Sequence, residues 1–294
     1  MKILNFGSLN NDYVYDVHHI TAEGETQASL KRSVFCGGKG LNQSIALKRA
    51  GLDVAHAGAV GMHDSKMLLE LLIDEGVNTQ YILRKEMPTG HAIIQRDRFG
   101  KNNILLFGGA NQAITKEDID EILSDYEKGD VLFLQNEISE IAYLIDDASQ
   151  KGMLVVLNPS PITEALKQCD LKQVDYLILN EHEAFELCGE TGDVMEQLKA
   201  LQGRWPHTHI ILTLGEKGAY YQFEEKQHYQ PAFTVNAVDT TAAGDTFTGY
   251  FMASILEGKT PEDALLRATK ASALAVTREG AAPSIPFAHE INEE

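Results

Sequence analysis

Asp239-Thr240-Thr241-Ala242-Ala243-Gly244-Asp245, followed by Thr246-Phe247-Thr248-Gly249-Tyr250-Phe251, leads into an apolar helical pattern that runs through Ile255. Small residues directly before a helix let the chain approach a ligand closely. The first-turn N–H groups, which have no intrahelical partner, then point at an anion with the helix dipole behind them. The stretch reads as a phosphate cradle whose backbone donors come from Ala242, Ala243 and Gly244. Asp245 falls at the helix start, where a carboxylate can cap the helix or take a proton from an attacking hydroxyl.

A cradle of this kind needs a sheet to hold it. Short apolar runs bounded by Gly, Asn or Pro recur at Ile3 to Phe6, Val54 to Val60, Val131 to Leu134, Leu154 to Leu157, Tyr176 to Leu179 and Ile210 to Leu214. They read as buried parallel strands. Helical patterns lie between several of them, Leu41 to Ala50 closed by Gly51 and Lys66 to Asp74 ending near Gly76. This alternation predicts a three-layer α/β/α, doubly wound and mostly parallel sheet.

Two stretches break the rhythm. Tyr13 to Cys36 alternates without a good helix, and His91 to Phe107 reads as two short strands turning at Phe99-Gly100. Together they predict a small projecting sheet over residues 13–36 and 89–107, placed as a lid on a core of residues 1–12, 37–88 and 108–294. On a strand His91 and Ala92 face opposite sides, so only one of them can line a pocket.

The second Gly-rich turn is Gly37-Gly38-Lys39-Gly40-Leu41-Asn42-Gln43, again opening a helix. Consecutive glycines suit close backbone approach to a polyol, with Lys39 and Asn42 as donors in the same turn. No G-x-G-x-x-G follows the first strand, which argues against a dinucleotide-binding dehydrogenase. Glu257-Gly258-Lys259-Thr260 has Ala253 where a P-loop needs glycine, and reads as a plain helix end.

The bulk properties agree with a small-molecule enzyme. The 294 residues are 44% hydrophobic, enough for one large core. With 25 basic against 43 acidic residues the formal charge is −18, so binding along a nucleic-acid backbone would work against repulsion. A nucleotide substrate remains compatible, because local N–H groups and a divalent cation outweigh the distant field. Cys36, Cys169 and Cys188 have neither metal-ligand spacing nor an even count, which fits a reducing cytoplasm. Met1 to Ser8 reads as a strand and not as a signal peptide, and no apolar run reaches the ~18 residues of a membrane span.

The two Gly-rich turns, in this order and at this distance, resemble the ribokinase family of sugar kinases, with other landmarks in register over almost the whole chain. Gly7-Ser8-Leu9-Asn10-Asn11-Asp12 is similar to the family's first sugar-binding turn. The resemblance implies that Asn10, Asp12, Gly38, Lys39, Asn42 and Glu137 hold the sugar and that Asp245 is the general base. It implies further that Asn180 and Glu183, in Asn180-Glu181-His182-Glu183, organise magnesium and the phosphates of ATP, while Thr213, Gly215 and Gly218 approach the nucleotide. By the same resemblance a monovalent cation, potassium, sits among oxygens of Asp239, Thr241, Ala275, Arg278, Gly280 and Ser284, and lids pair into a homodimer. The implied reaction is phosphorylation of ribose at its primary hydroxyl. Another pentose, a hexose or a nucleoside is the alternative, favoured if His91 faces inward, and a non-catalytic sugar-binding regulator of the same fold is a second.

Overall fold

The computed structural model describes residues 1–189 and 193–291. In chain order the first half carries β1 (Ile3–Phe6), β2 (Asn10–Val17), β3 (Lys31–Gly37), α1 (Lys39–Arg49), β4 (Ala55–Gly61), α2 (Lys66–Asp74), β5 (Asn78–Lys85), β6 (Gly90–Asp97), β7 (Asn102–Phe107) and α3 (Lys116–Leu123). Then come β8 (Val131–Gln135), α4 (Ile141–Gln150), β9 (Leu154–Asn158), α5 (Glu164–Lys167), β10 (Tyr176–Asn180), α6 (Glu181–Cys188), α7 (Val194–Arg204) and β11 (His209–Thr213). The chain closes with β12 (Ala219–Phe223), β13 (Lys226–Gln230), α8 (Ala243–Leu256) and α9 (Pro261–Ala275).

Nine strands form the central sheet in the order β13-β12-β11-β10-β9-β8-β1-β4-β5. Neighbours are parallel from β11 through β5, and only the β12–β13 hairpin adds antiparallel pairs at one edge. The three layers follow from strand alternation. Leu132 and Leu134 of β8 join a core that takes in Ile119, Leu144 and Leu201 on α3, α4 and α7. Val131 and Phe133 point the other way, into a core with Ile45, Leu68, Phe251 and Leu265 on α1, α2, α8 and α9. A strand buried on both faces has no polar side to show, which is why these runs are continuously apolar.

The second sheet has the order β3-β2-β6-β7. Its central pair β2–β6 is parallel and its outer pairs are antiparallel. Because β2 begins at Asn10, both Asn10 and Asp12 stand on this small sheet. Its joint with the core is braced by Asp64, whose carboxylate accepts the Thr89 N–H at 3.0 Å and whose carbonyl accepts the Asn11 amide at 2.9 Å. Among the described residues no helix is long and apolar enough to cross a membrane.

Candidate functional site

The carboxyl ends of the parallel strands converge on one side of the sheet, the usual place for a ligand in an open α/β fold. Glu137 follows β8, Asn158 ends β9, Asn180 ends β10 and Thr213 ends β11. The helix starts supply the rest: Lys39 opens α1, and Asp245 lies in the first turn of α8.

Close backbone packing brings α1 into place. Gly38 has φ 99°, and a Cβ there would lie 2.8 Å from the Ser8 carbonyl oxygen, so only glycine fits. One Glu137 carboxylate oxygen accepts the Lys39 N–H at 3.0 Å and also the Ser8 hydroxyl. Asn10 is held by Asn111, whose amide donates to its Oδ1 at 2.8 Å.

Asp245 is buried, and its side chain does not cap its own helix. Oδ2 accepts from the Asn42 amide at 3.1 Å and Oδ1 from the Gln43 amide at 3.0 Å. Asn42 leaves its buried Oδ1 with no partner among the described residues, an acceptor waiting for a donor such as a sugar hydroxyl. Burial, seconded by the Glu137 charge, pushes the Asp12 carboxyl up to about 7. Burial works against the Lys39 charge, but Asp245, Glu137 and Glu183 together carry its ammonium above the ordinary lysine value. The site is a polar cleft with three carboxylates around one cation.

Sheet register decides which way His91 points. Asp12 pairs with Ala92, and Asn11 with His91, so Ala92 shares the Asp12 face and His91 lies on the other. There its ring packs against Tyr13 and Phe107, with centroids 5.7 and 5.0 Å away. Ala92 is 2% exposed. The Asp12 face therefore carries a small apolar residue, and the imidazole of His91 lies on the opposite face.

Two cavities meet at the α8 turn. A polar one of about 220 Å³ is lined by Lys39, Asn158, Asn180, Glu183, Asp245 and Thr248. A more apolar one of about 720 Å³ is lined by Gly215, Gly218, Phe233, Phe247 and Val276. They share Thr213, Thr240, Ala243 and Gly244. Ala242 takes a left-handed conformation, φ 59°, that turns the chain into the helix. The Ala243 N–H lies 3.3 Å from the Thr240 carbonyl, whereas the Gly244 N–H has no partner among the described residues. The Ala242 N–H likewise has no partner among the described residues, so Ala242 and Gly244 are both free to donate to an anion, with Ala243 only loosely engaged.

Asn180 and Glu183 both line the polar cavity. They also close a capping box on α6, at 2.9 and 3.0 Å. Among the described residues no three His, Cys, Asp or Glu side chains form a metal-ligand cluster. That donor set would suit a cation carried largely by phosphate oxygens, with Glu183 and Asn158, both in the lining of the polar cavity, able to supply hard oxygen atoms.

The loop around Asp239 is knit together. Its Oδ1 accepts the Thr241 N–H and hydroxyl at 2.9 and 2.6 Å, and its Oδ2 accepts the Gly280 N–H at 3.0 Å. Despite partial burial, these bonds hold the Asp239 carboxyl below its usual range. The Ala275 carbonyl accepts the Arg278 N–H at 3.0 Å, and the Ser284 hydroxyl turns to the Ala281 carbonyl at 2.8 Å. The guanidinium of Arg278 is taken up by Glu290, leaving its backbone to face the loop. Carboxylate, carbonyl and hydroxyl oxygens of this kind suit a hard cation.

Ser8, Gln43, Asn111, Asn158 and Thr248 were not singled out from sequence. Asn158 had a readable signal, since it ends an apolar run just before Pro159. Ser8, Gln43 and Asn111 act through long-range partners that no local pattern discloses, and Thr248 reaches the polar cavity only through the packing of α8.

The profile of the pfkB family carbohydrate kinases matches residues 1–288. The chain belongs to this family. A Haemophilus influenzae ribokinase is 34% identical over 98% of this chain and 96% of its own length. A Salmonella typhi deoxyribokinase is 31% identical over 100% and 98%. An Arabidopsis thaliana ribokinase, solved complexed with ribose and ATP, superposes with TM-score 0.87 at 29% identity, covering 99% of this chain and 97% of that one. As a pfkB carbohydrate kinase the protein is an ATP-dependent sugar kinase.

Proposed function

We propose that the protein transfers the γ-phosphoryl group of ATP to the primary hydroxyl of D-ribose, giving ribose 5-phosphate and ADP. The observation that carries this reading is Asp245, buried in the wall of the polar cavity next to the turn the two cavities share and held through both carboxylate oxygens. The sugar lies under the small sheet, with Asn10, Asp12, Gly38, Lys39, Asn42 and Glu137 taking its hydroxyls. The adenine end of ATP fits the larger chamber beside Thr213, Gly215 and Gly218.

As the sugar oxygen bonds to the γ-phosphorus, its proton passes to Asp245 and the bond from phosphorus to the β–γ bridging oxygen breaks. The backbone N–H groups of Ala242, Ala243 and Gly244 donate to the phosphoryl oxygens as charge shifts across them. When bound with ATP, Mg²⁺ neutralises phosphate charge, with Asn180 and Glu183 organising its surroundings. A potassium ion among Asp239, Thr241, Ala275, Arg278, Gly280 and Ser284 would fix the electrostatics of the turn without touching substrate. The small sheet serves as lid and, through its exposed edge, as the pairing surface of a homodimer in the cytoplasm.

The test is ADP release with ATP, magnesium and potassium across ribose, deoxyribose, fructose, other pentoses and nucleosides. Ribose should give the highest kcat/KM. Asp245→Asn should lose on the order of 10²- to 10⁴-fold in kcat while still binding ribose. A higher kcat/KM on deoxyribose would move the substrate to the 2-deoxy sugar, and near-normal turnover by Asp245→Asn would remove the general base.

A further inference from the structure

Behind Asp245 lies a chain of buried amides that never reaches the pocket. Gln43 donates its side-chain N–H to Asp245 Oδ1 at 3.0 Å. Its own oxygen accepts from Gln135 at 2.7 Å, and the Gln135 amide nitrogen also donates to Asn5 Oδ1 at 2.9 Å. Asn5 in turn donates to the Gly40 carbonyl and the Ser44 hydroxyl, both at 2.7 Å, and Ser44 meets His56 Nδ1 at 2.8 Å. Asn5, Gln43, Ser44, His56 and Gln135 are all at most 1% exposed.

The direction of each amide bond is forced, because the run ends on the Asp245 carboxylate at one side and the Gly40 carbonyl at the other, both of which can only accept. Gln135 spends both amide hydrogens on two oxygens, so Asn5 must turn its nitrogen to Gly40 and Ser44, and Gln43 must turn its nitrogen to Asp245. At its far end Ser44 receives one hydrogen from Asn5 and its hydroxyl shares a hydrogen bond with the ring of His56, which burial keeps neutral with its pKa down to about 3. A glutamine free to rotate could present its oxygen to the carboxylate instead. This one cannot without unpairing Gln135 in a place water does not reach.

We propose that Gln43, locked by Gln135 and Asn5, is the positioning residue for the base. It pins Oδ1 of Asp245 on the buried side and leaves Oδ2, shared with Asn42, aimed at the sugar. The proposal rests on Asp245 being the base. Gln43 and Gln135 touch neither sugar nor nucleotide, so their loss should appear in turnover and not in binding.

Gln43→Met keeps length and apolar stem while deleting the donor. A hydrogen bond to a charged group is worth a factor on the order of 10 to 100 in rate, so kcat should fall by that much with KM for ribose nearly unchanged. Gln135→Met, one bond further away, should lower kcat in the same sense by releasing the orientation of Gln43. The deciding measurement is the double-mutant cycle with Asp245→Asn, on protein whose fold is checked by circular dichroism and by ribose affinity. If Gln43 acts through Asp245, Gln43→Met should cost little further rate in the Asp245→Asn background. An equal loss in both backgrounds, or a loss confined to KM, would falsify the positioning role. Should Asp245→Asn itself turn over normally, the assignment of the base fails, and that result is distinct from a failure of the amide chain.

Discussion

Asp12 sits among neighbours that oppose its charge while no sugar is bound. Its carboxyl is raised from 3.8 to about 7, burial first and Glu137 second. A raised acid penalises the folded state only where it is ionised, so the penalty is fully present above the folded value and gone below the unfolded one. Asp12→Asn, which never ionises, should therefore melt above the parent by a few degrees at pH 8, with the gain shrinking toward zero as pH falls to about 4. The same change should weaken ribose binding, because an amide replaces a charged acceptor. Thermal melts at both pH values check it, and a gain of the same size at each would show that charge is not the cause. At this scale the sequence was most informative where residue type itself carries the chemistry: Asp245, Lys39, Asn42 and Glu137 converge as their motifs imply. Gln43 stood inside a quoted motif, yet nothing local marks which of its neighbours is 202 residues away.

The α1–α8 contact carries the geometry of the site from one helix to another. Gly249 lies against Ala46, and a Cβ at Gly249 would stand 2.5 Å from the Ala46 Cβ. Gly249→Ala should force the helices apart at a cost of about 1–3 kcal/mol. Because Asn42 and Gln43 ride on α1 and Asp245 on α8, kcat should drop along with Tm. A lower Tm with unchanged kcat would mean that this packing does not set the Asp245 geometry. The parallel strands were legible because burial on both faces leaves an unbroken apolar run, and α2 fell on the predicted Lys66 to Asp74. β5, β12 and β13 were not, since their half-exposed sequences, such as Lys226–Gln230 with only Tyr229 apolar, resemble loops until a neighbouring strand pairs with them.

For the molecule as a whole, the small sheet ends in an edge strand that is unusual in a chain carrying −18. Asn102–Phe107 has no charge, and Leu105 and Leu106, on opposite faces, are 66% and 56% exposed. An uncharged edge exposed on both sides invites pairing, and here it offers two acidic molecules a contact free of mutual repulsion. Leu105→Glu should shift the protein from dimer to monomer in sedimentation velocity and leave its circular dichroism intact. A parent that already sediments as a monomer would end the lid-pairing reading.

By itself the sequence determined the family, the doubly wound core and the two Gly-rich turns that open α1 and α8. Those features depend on local patterns: strand apolarity, helix starts and glycines where no Cβ fits. Tertiary structure alone decided that His91 lies on the sheet face opposite Asp12, that the Ala242 and Gly244 N–H groups are left free in their turn, and that Asp245 is held by amides of α1 rather than by its own helix. Each of these is a question of which distant groups share a face or a hydrogen bond, and a buried polar atom takes whichever partner the packing of two remote elements brings within reach.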